Sequence, residues 1–277
     1  MNINRKSFLR TLGGALFSTG LYLKSPMYDP AKSESGLKLG LASYTLRKFT
    51  LDQVITFCHL LGIGELALKS MHLPLDSSPQ DIIKVAGEVR SAGINLYGAG
   101  VVYMKSPEEV TNAFTYAQKA GMKVIIGVPN HDLLPLVESK VKATNIKLAI
   151  HNHGPGDELY RTPAVAYELV KDMDPRMGLC IDIGHVVRID EDPIEDIRNF
   201  ADRLFDLHLK DVNKAEADGH SVEIGRGIID IPAVLEALVK VKYAGIMGLE
   251  YEKDGDDPIA GLAESIGYVR GVMRMMQ

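Results

Sequence analysis

Cysteine is scarce: Cys58 and Cys180 are the only two among 277 residues. One disulfide is the most they could form. Each lies in an apolar pattern, so both read as buried free thiols. Basic charge is not in excess either. The 31 lysines and arginines face 36 aspartates and glutamates, a formal net charge of -5. Nucleic-acid binding needs a basic face or groove, so that class of partner is set aside. Long apolar runs are missing too. The charge-free stretch from Thr11 to Leu23 is too short to anchor a chain across a bilayer. There is no low-complexity tract and no sign of a second domain. What remains is 46% hydrophobic and 24% charged residues, an ordinary globular composition and contrary to disorder.

The first 25 residues differ from the rest. Arg5, Lys6 and Arg10 flank Phe8 and Leu9, and the charge-free run follows. A basic stretch before an apolar one is the order of a signal peptide. Asn4-Arg5-Lys6-Ser7-Phe8-Leu9-Arg10 resembles a twin-arginine export signal, with Lys6 in place of the second arginine. Residues 1–25 are therefore expected to be an export signal, 26–36 a linker and 37–277 the catalytic domain. The expected location is periplasmic, with no stable membrane span in the mature form.

From Leu37 onward short apolar runs alternate with longer stretches at helical spacing. The runs Leu37–Ser43, Glu65–Leu68, Asn95–Val101, Lys123–Val128, Lys147–Ile150, Met177–Ile181, Leu204–Leu209 and Ile246–Leu249 predict eight strands. Helix starts are punctuated in a consistent way. Thr50-Leu51-Asp52-Gln53 reads as a capping box. Ser78-Pro79, Ser106-Pro107, Thr162-Pro163, Asp192-Pro193 and Asp257-Pro258 place proline at a first helical position. Gly62, Gly93 and Gly121 follow helical runs as C-terminal caps. Strict alternation of strand and helix implies a parallel sheet. The first strand leads into Ser43-Tyr44-Thr45-Leu46-Arg47, without the glycine-rich phosphate loop of a doubly wound sheet. Eight units in roughly 240 residues predict a single closed (β/α)8 TIM barrel, an α/β fold.

In such barrels the chemistry sits at the C-terminal ends of the strands. Strand five ends in His151-Asn152-His153, strand six in Asp182-Ile183-Gly184-His185, strand seven in His208-Leu209-Lys210-Asp211 and strand eight in Glu250-Tyr251-Glu252. Four consecutive strands thus finish in residues able to hold a metal. His151, Asp182, His208 and Glu250 are the expected ligands. A mixed histidine and carboxylate set suits one divalent ion, from among Mn²⁺, Co²⁺, Zn²⁺, Fe²⁺ and Mg²⁺. His151 and His153 share a strand face, as do His208 and Lys210, and Glu250 and Glu252. One member of each pair can ligate while the other meets the substrate. Other exits offer Tyr44 and Arg47, Lys69 and His72, and Tyr103. Lys69, His72, Tyr103 and His153 are the expected substrate contacts, since hydroxyl-rich ligands are held by polar groups over an aromatic floor.

Ile150-His151-Asn152-His153-Gly154, Cys180-Ile181-Asp182-Ile183-Gly184-His185, His208-Leu209-Lys210-Asp211 and Gly248-Leu249-Glu250 together resemble the signature of the xylose isomerase-like TIM-barrel family. The resemblance spans about residues 37–275. That family includes sugar phosphate isomerases and epimerases, ketose 3-epimerases and inosose dehydratase-like proteins. Gly225-Arg226-Gly227-Ile228-Ile229-Asp230 resembles the family's loop before helix seven, which implies a substrate role for Arg226. One departure matters. The family's epimerases usually have a glutamate where this chain has His151, and that glutamate is both ligand and one of two acid/base groups. Glu158, seven residues on, is the alternative carboxylate. The run from His151 to Glu158 is more like the dehydratase-like and exported branches.

The leading expectation is a metal-dependent isomerase or epimerase of a free or oxidised carbohydrate. The metal polarises a carbonyl, Glu250 or His185 moves the neighbouring proton, and Lys210 stabilises oxyanion charge. Export argues against a sugar phosphate. The alternatives are a lyase or hydratase acting on a keto-sugar or 3-keto-glycoside, and a non-catalytic carbohydrate-binding barrel. The endonuclease activity found in this superfamily finds no basic groove here. The expected partner is a small carbohydrate, with a homo-oligomer left open.

Overall fold

The computed structural model describes residues 36–276. The expected export signal and most of the linker lie outside the described residues. Eight parallel strands close into a barrel in the order β1-β10-β7-β6-β5-β4-β3-β2. They are β1 (Lys38–Ala42), β2 (Glu65–Leu68), β3 (Asn95–Met104), β4 (Val124–Pro129), β5 (Lys147–His151), β6 (Met177–Asp182), β7 (Leu204–Leu209) and β10 (Ile246–Leu249). Two further strands, β8 (Asp211–Val212) and β9 (Ser221–Val222), form a small antiparallel ribbon just beyond β7. The helices are α1 (Leu51–Leu61), α2 (Pro79–Ser91), α3 (Pro107–Ala120), α4 (Leu134–Thr144), α5 (Pro163–Val170), α6 (Ile183–Val187), α7 (Pro193–Asn199), α8 (Ile231–Lys240) and α9 (Ile259–Met275).

Local chemistry explains the boundaries. The Thr50 hydroxyl accepts from Gln53 N and the Gln53 side chain accepts from Thr50 N, a complete capping box at the start of α1. Ser78, Ser106, Thr162 and Asp192 each cap a helix that begins with proline. Strand β3 runs three residues past its expected end. It carries a register irregularity between Ala99 and Val102, which lets it continue toward the mouth.

Strand alternation divides the core. One set of buried side chains packs strands against helices. A second set, Ala67, Tyr97, Ile126, Ala149, Cys180 and Ile246, fills the barrel interior. Ala149 and Cys180 lie two residues before His151 and Asp182 on the same strands, so the apolar plug is the floor beneath the strand-exit residues. Both cysteines are free and buried. No helix among the described residues is long and apolar enough to cross a membrane.

Candidate metal centre

Four adjacent strands deliver side chains to one point. β5 ends at His151, β6 ends at Asp182, β7 carries His208 and Glu250 follows β10 directly. Register makes them neighbours: His151 pairs with Cys180, and His208 pairs with both Asp182 and Gly248. All four side chains are buried. His151 Nε2 lies 3.0 Å from His208 Nδ1 and 3.6 Å from Asp182 Oδ2. His208 Nδ1 lies 3.3 Å from Glu250 Oε2 and 3.8 Å from Asp182 Oδ2. One donor atom from each residue falls within 4.8 Å of those of the other three.

Hydrogen bonding and ion pairing leave part of this cluster unsatisfied. Two imidazole nitrogens 3.0 Å apart can share only one proton. Asp182 Oδ2 is buried and makes no hydrogen bond of good geometry. Yet nitrogens of His151, His185, His208 and Lys210 crowd it at 3.1–3.8 Å. Leaving a buried carboxylate oxygen in that state is costly. Donors about 2.0–2.2 Å from a shared divalent ion stand roughly 3.0–3.6 Å apart, close to the spacing observed. The residues therefore fit a metal, and two imidazoles with two carboxylates suit a borderline divalent one. Cys180 also approaches the two histidines. Burial holds that thiol well above its usual pKa, and it donates to Asp206 Oδ1 at 3.4 Å. A protonated thiol is a poor ligand.

Lys210 stands against the same carboxylates. Its Nζ is 3.0 Å from Glu250 Oε2, 3.1 Å from Asp182 Oδ2 and 3.5 Å from Glu252 Oε2. Burial opposes the ammonium charge, but the carboxylates outweigh it and hold Lys210 well above its usual range. Burial also pushes the two carboxyls up, and neighbouring cations override it. Lys210 keeps Asp182 ionised where His185 is uncharged, and Lys210 and His208 keep Glu250 ionised. Burial holds His151 well below its usual pKa, neutral as a ligand must be. It lowers His185 to about 4.

His185, His153, Tyr103 and Lys69 gather above the centre. The His153 ring lies 4.5 Å from that of His151 and 5.8 Å from that of His185. Tyr103 stacks on His153 and its hydroxyl meets His153 Nε2 at 3.1 Å. The Lys69 ammonium lies over the Tyr103 and Tyr44 rings, and Arg47 reaches the Glu252 carbonyl at 3.0 Å. A cavity of about 300 Å³ adjoins His185, Lys210 and Glu252.

Two expected residues, and the alternative carboxylate Glu158, are not brought there. His72 is buried, with Nδ1 on Ser43 Oγ at 2.9 Å and Nε2 on the Leu46 and Phe49 carbonyls at 3.2 Å. Both ring nitrogens are occupied in holding the β1–α1 loop. Arg226 is exposed and forks onto Glu264. Glu158 is exposed in the loop after β5 and lies outside the four-residue cluster that includes His151.

Other residues escaped the sequence reading. Asn152 accepts from Asp182 N at 2.9 Å and donates to Asp182 O at 3.3 Å, locking that strand end in place. Asp211 collects the backbone N–H groups of Val212, Gly225, Gly227 and Ile229 and so shapes the loop before α8. Asp206 lies buried inside the barrel, two residues before His208. Arg188 contacts His185. Asn152 and Asp211 stood within the quoted motifs, but nothing in their spacing revealed backbone partners on other segments.

Comparison with known proteins identifies the family and the fold. A model of the xylose isomerase-like TIM barrel family matches residues 105–272. An inosose dehydratase of Lacticaseibacillus casei is 28% identical over 132 residues, 42% of this chain and 43% of that relative's length. A solved L-ribulose 3-epimerase superposes with a TM-score of 0.72 at 16% identity, over 86% of this chain and 95% of that one. The IOLI protein, solved with a bound zinc atom, superposes with a TM-score of 0.68 at 19% identity, over 85% and 96%.

Proposed function

Because the chain belongs to the xylose isomerase-like TIM barrel family, we propose that it is a metal-dependent enzyme that dehydrates a polyhydroxylated ketone. It removes the proton beside the carbonyl and expels a neighbouring hydroxyl as water. One observation carries the reading. Beyond the buried Asp182, the carboxylates at the mouth, Glu250 and Glu252, leave the same strand end, whereas the β5 wall offers His151 and His153. Epimerisation at carbon needs acid/base groups on opposite faces of the substrate. Elimination on one face needs only one group. The zinc in IOLI and the relationship to an inosose dehydratase support the same direction.

His151, Asp182, His208 and Glu250 would hold the ion. A divalent ion there supplies electrophilic polarisation of the substrate carbonyl. Glu250, kept ionised by Lys210 and His208, takes the proton from the adjacent carbon. The C–H electrons form the enolate double bond, and Lys210 balances the oxyanion charge. The enolate then expels its β-hydroxyl. Glu250 returns the proton to that oxygen, so water leaves and an unsaturated ketone remains. His153, Tyr103 and Lys69 line the wall that would orient the hydroxyls. Aldose–ketose isomerisation is the second reading, since a same-face transfer between adjacent carbons also needs one base. The export signal read at residues 1–25 favours an unphosphorylated substrate.

The test uses purified protein loaded in turn with Mn²⁺, Co²⁺ and Zn²⁺, incubated with 2-keto-myo-inositol, free ketohexoses and a ketohexose phosphate in D₂O. Dehydrated product followed by NMR is the expected result. Deuterated aldose without dehydration selects isomerisation. Substrate deuterated beside the carbonyl that turns over to dehydrated product still carrying that deuterium at the same carbon overturns the proton-abstraction scheme.

A further inference from the structure

We infer that Arg188 is a positioning residue: it holds His185 as the tautomer protonated at Nε2, so His185 meets the substrate as a neutral hydrogen-bond donor. A guanidinium has five N–H donors and no acceptor, and it stays charged in proteins. Arg188 Nη1 lies 3.2 Å from His185 Nδ1. That contact is a hydrogen bond only if Nδ1 carries no proton. A neutral imidazole then has its single proton on Nε2. Nε2 is the nitrogen turned to the centre, 3.8 Å from Asp182 Oδ2.

The arrangement is built into the fold. His185 sits in the short helix α6 and Arg188 is its C-terminal cap residue, three positions on and on the same face. The His185 backbone N–H is held by Asp182 Oδ1 at 2.9 Å. At its other end Arg188 Nη2 donates to the Ala217 carbonyl, in the loop of the β8–β9 ribbon. Among the described residues no carboxylate forms an ion pair with Arg188, so the guanidinium is not drawn away from the ring. His185, Arg188 and Lys210 line the same cavity beside the centre.

The consequence narrows the roles. A neutral ring with its proton on Nε2 cannot abstract a proton at that nitrogen. It can donate a hydrogen bond to a substrate carbonyl or departing hydroxyl oxygen. Of Glu250 and His185, proton removal therefore falls to Glu250. The catalytic meaning rests on the dehydratase reading above, whereas the tautomer does not.

The tautomer is read by ¹⁵N NMR of the full chain labelled at histidine, with and without Zn²⁺, His185 being assigned by comparison with His185→Gln. The expected spectrum has an unprotonated Nδ1 and a protonated Nε2. Arg188→Met should shift both ring nitrogens toward a mixed state in a folded protein, and Arg188→Lys, which keeps a donor, should restore the wild-type pattern in part. A proton on Nδ1 in the wild type overturns the inference, as does an unchanged pattern in folded Arg188→Met. The wild-type spectrum decides the matter even if Arg188→Met does not fold. Kinetics supply a second arm. The Gln amide places N–H near the Nε2 position, so His185→Gln should keep kcat within about tenfold, while His185→Ala should lose about 100-fold or more. Equal losses in the two variants would remove the donor role. If no substrate turns over, the dehydratase reading fails and the spectra still decide the tautomer.

Discussion

The two oxygens of Asp182 serve different ends. Oδ1 caps α6 by accepting from His185 N, while Oδ2 faces the donor cluster without a good hydrogen bond. Asp182→Asn keeps an oxygen for the cap but removes the charge that a cation requires. Zinc affinity, measured by competition with a chromogenic chelator, should fall about 100-fold or more in Asp182→Asn and at least tenfold in His151→Ala, as expected for losing one ligand of four. Circular dichroism should still report the barrel. Glu158→Gln should bind zinc within twofold of wild type. Loss of zinc in Glu158→Gln together with retention in His151→Ala would exchange the two assignments. These donors were legible because strand-end position alone brings them together. His72 and Arg226 were not. Each lies in a loop, and a loop residue's partner is decided by distant segments: Ser43 and two carbonyls for His72, Glu264 for Arg226.

Elements position the site as much as residues do. The β5 exit turns at Gly154, whose φ is +69°. A Cβ at this residue would lie 2.6 Å from the His185 carbonyl oxygen, a backbone atom with little room to yield. The β5 loop therefore packs directly on α6. Gly154→Ala adds left-handed strain and a clash, so it should destabilise the fold by about 1–3 kcal/mol. It should also displace His185 and lower kcat more than zinc affinity. Urea unfolding with parallel zinc titration checks both, and loss of zinc alone would show that α6 is not what moves. Much of this layer was readable in advance. Capping residues with proline at helix starts, and apolar runs between them, located all eight barrel strands. The β8–β9 ribbon was not readable, because two residues per strand leave no periodicity. Nor was the loop that Asp211 organises, since its contacts are to backbone N–H groups, which any residue type supplies.

At the scale of the whole molecule, the barrel carries an excess of acid, and it concentrates some of it badly. Five of the seven residues from Asp190 to Asp196 are acidic. Asp196, on α7, is buried, and its Oδ2 has no hydrogen-bond partner. Burial, reinforced by Glu191, Asp192 and Glu195, raises its pKa to about 7 from the ordinary 3.8. The folded protein therefore holds a proton on Asp196 that the unfolded chain releases at lower pH. Stability from this group is fully present below about pH 4 and is lost as pH rises toward about 7, since the unfolded state binds fewer protons across that window. Above it the folded state carries a buried charge whose Oδ2 has no hydrogen-bond partner. Asp196→Asn keeps the shape and removes the titration. Its melting temperature should match wild type near pH 4 and exceed it at pH 8; a shift of about three pKa units at about 1.4 kcal/mol each corresponds to a stability difference of at most about 4 kcal/mol. Because the comparison is between two proteins at each pH, the other titrating groups largely cancel. Site and defect are also separable: the four candidate metal donors lie on β5, β6, β7 and the end of β10, whereas Asp196 lies on an outer helix. Zinc affinity should not change in Asp196→Asn. A constant stability difference from pH 4 to 8 would show that Asp196 is already ionised in the folded protein, and that α7 tolerates the charge.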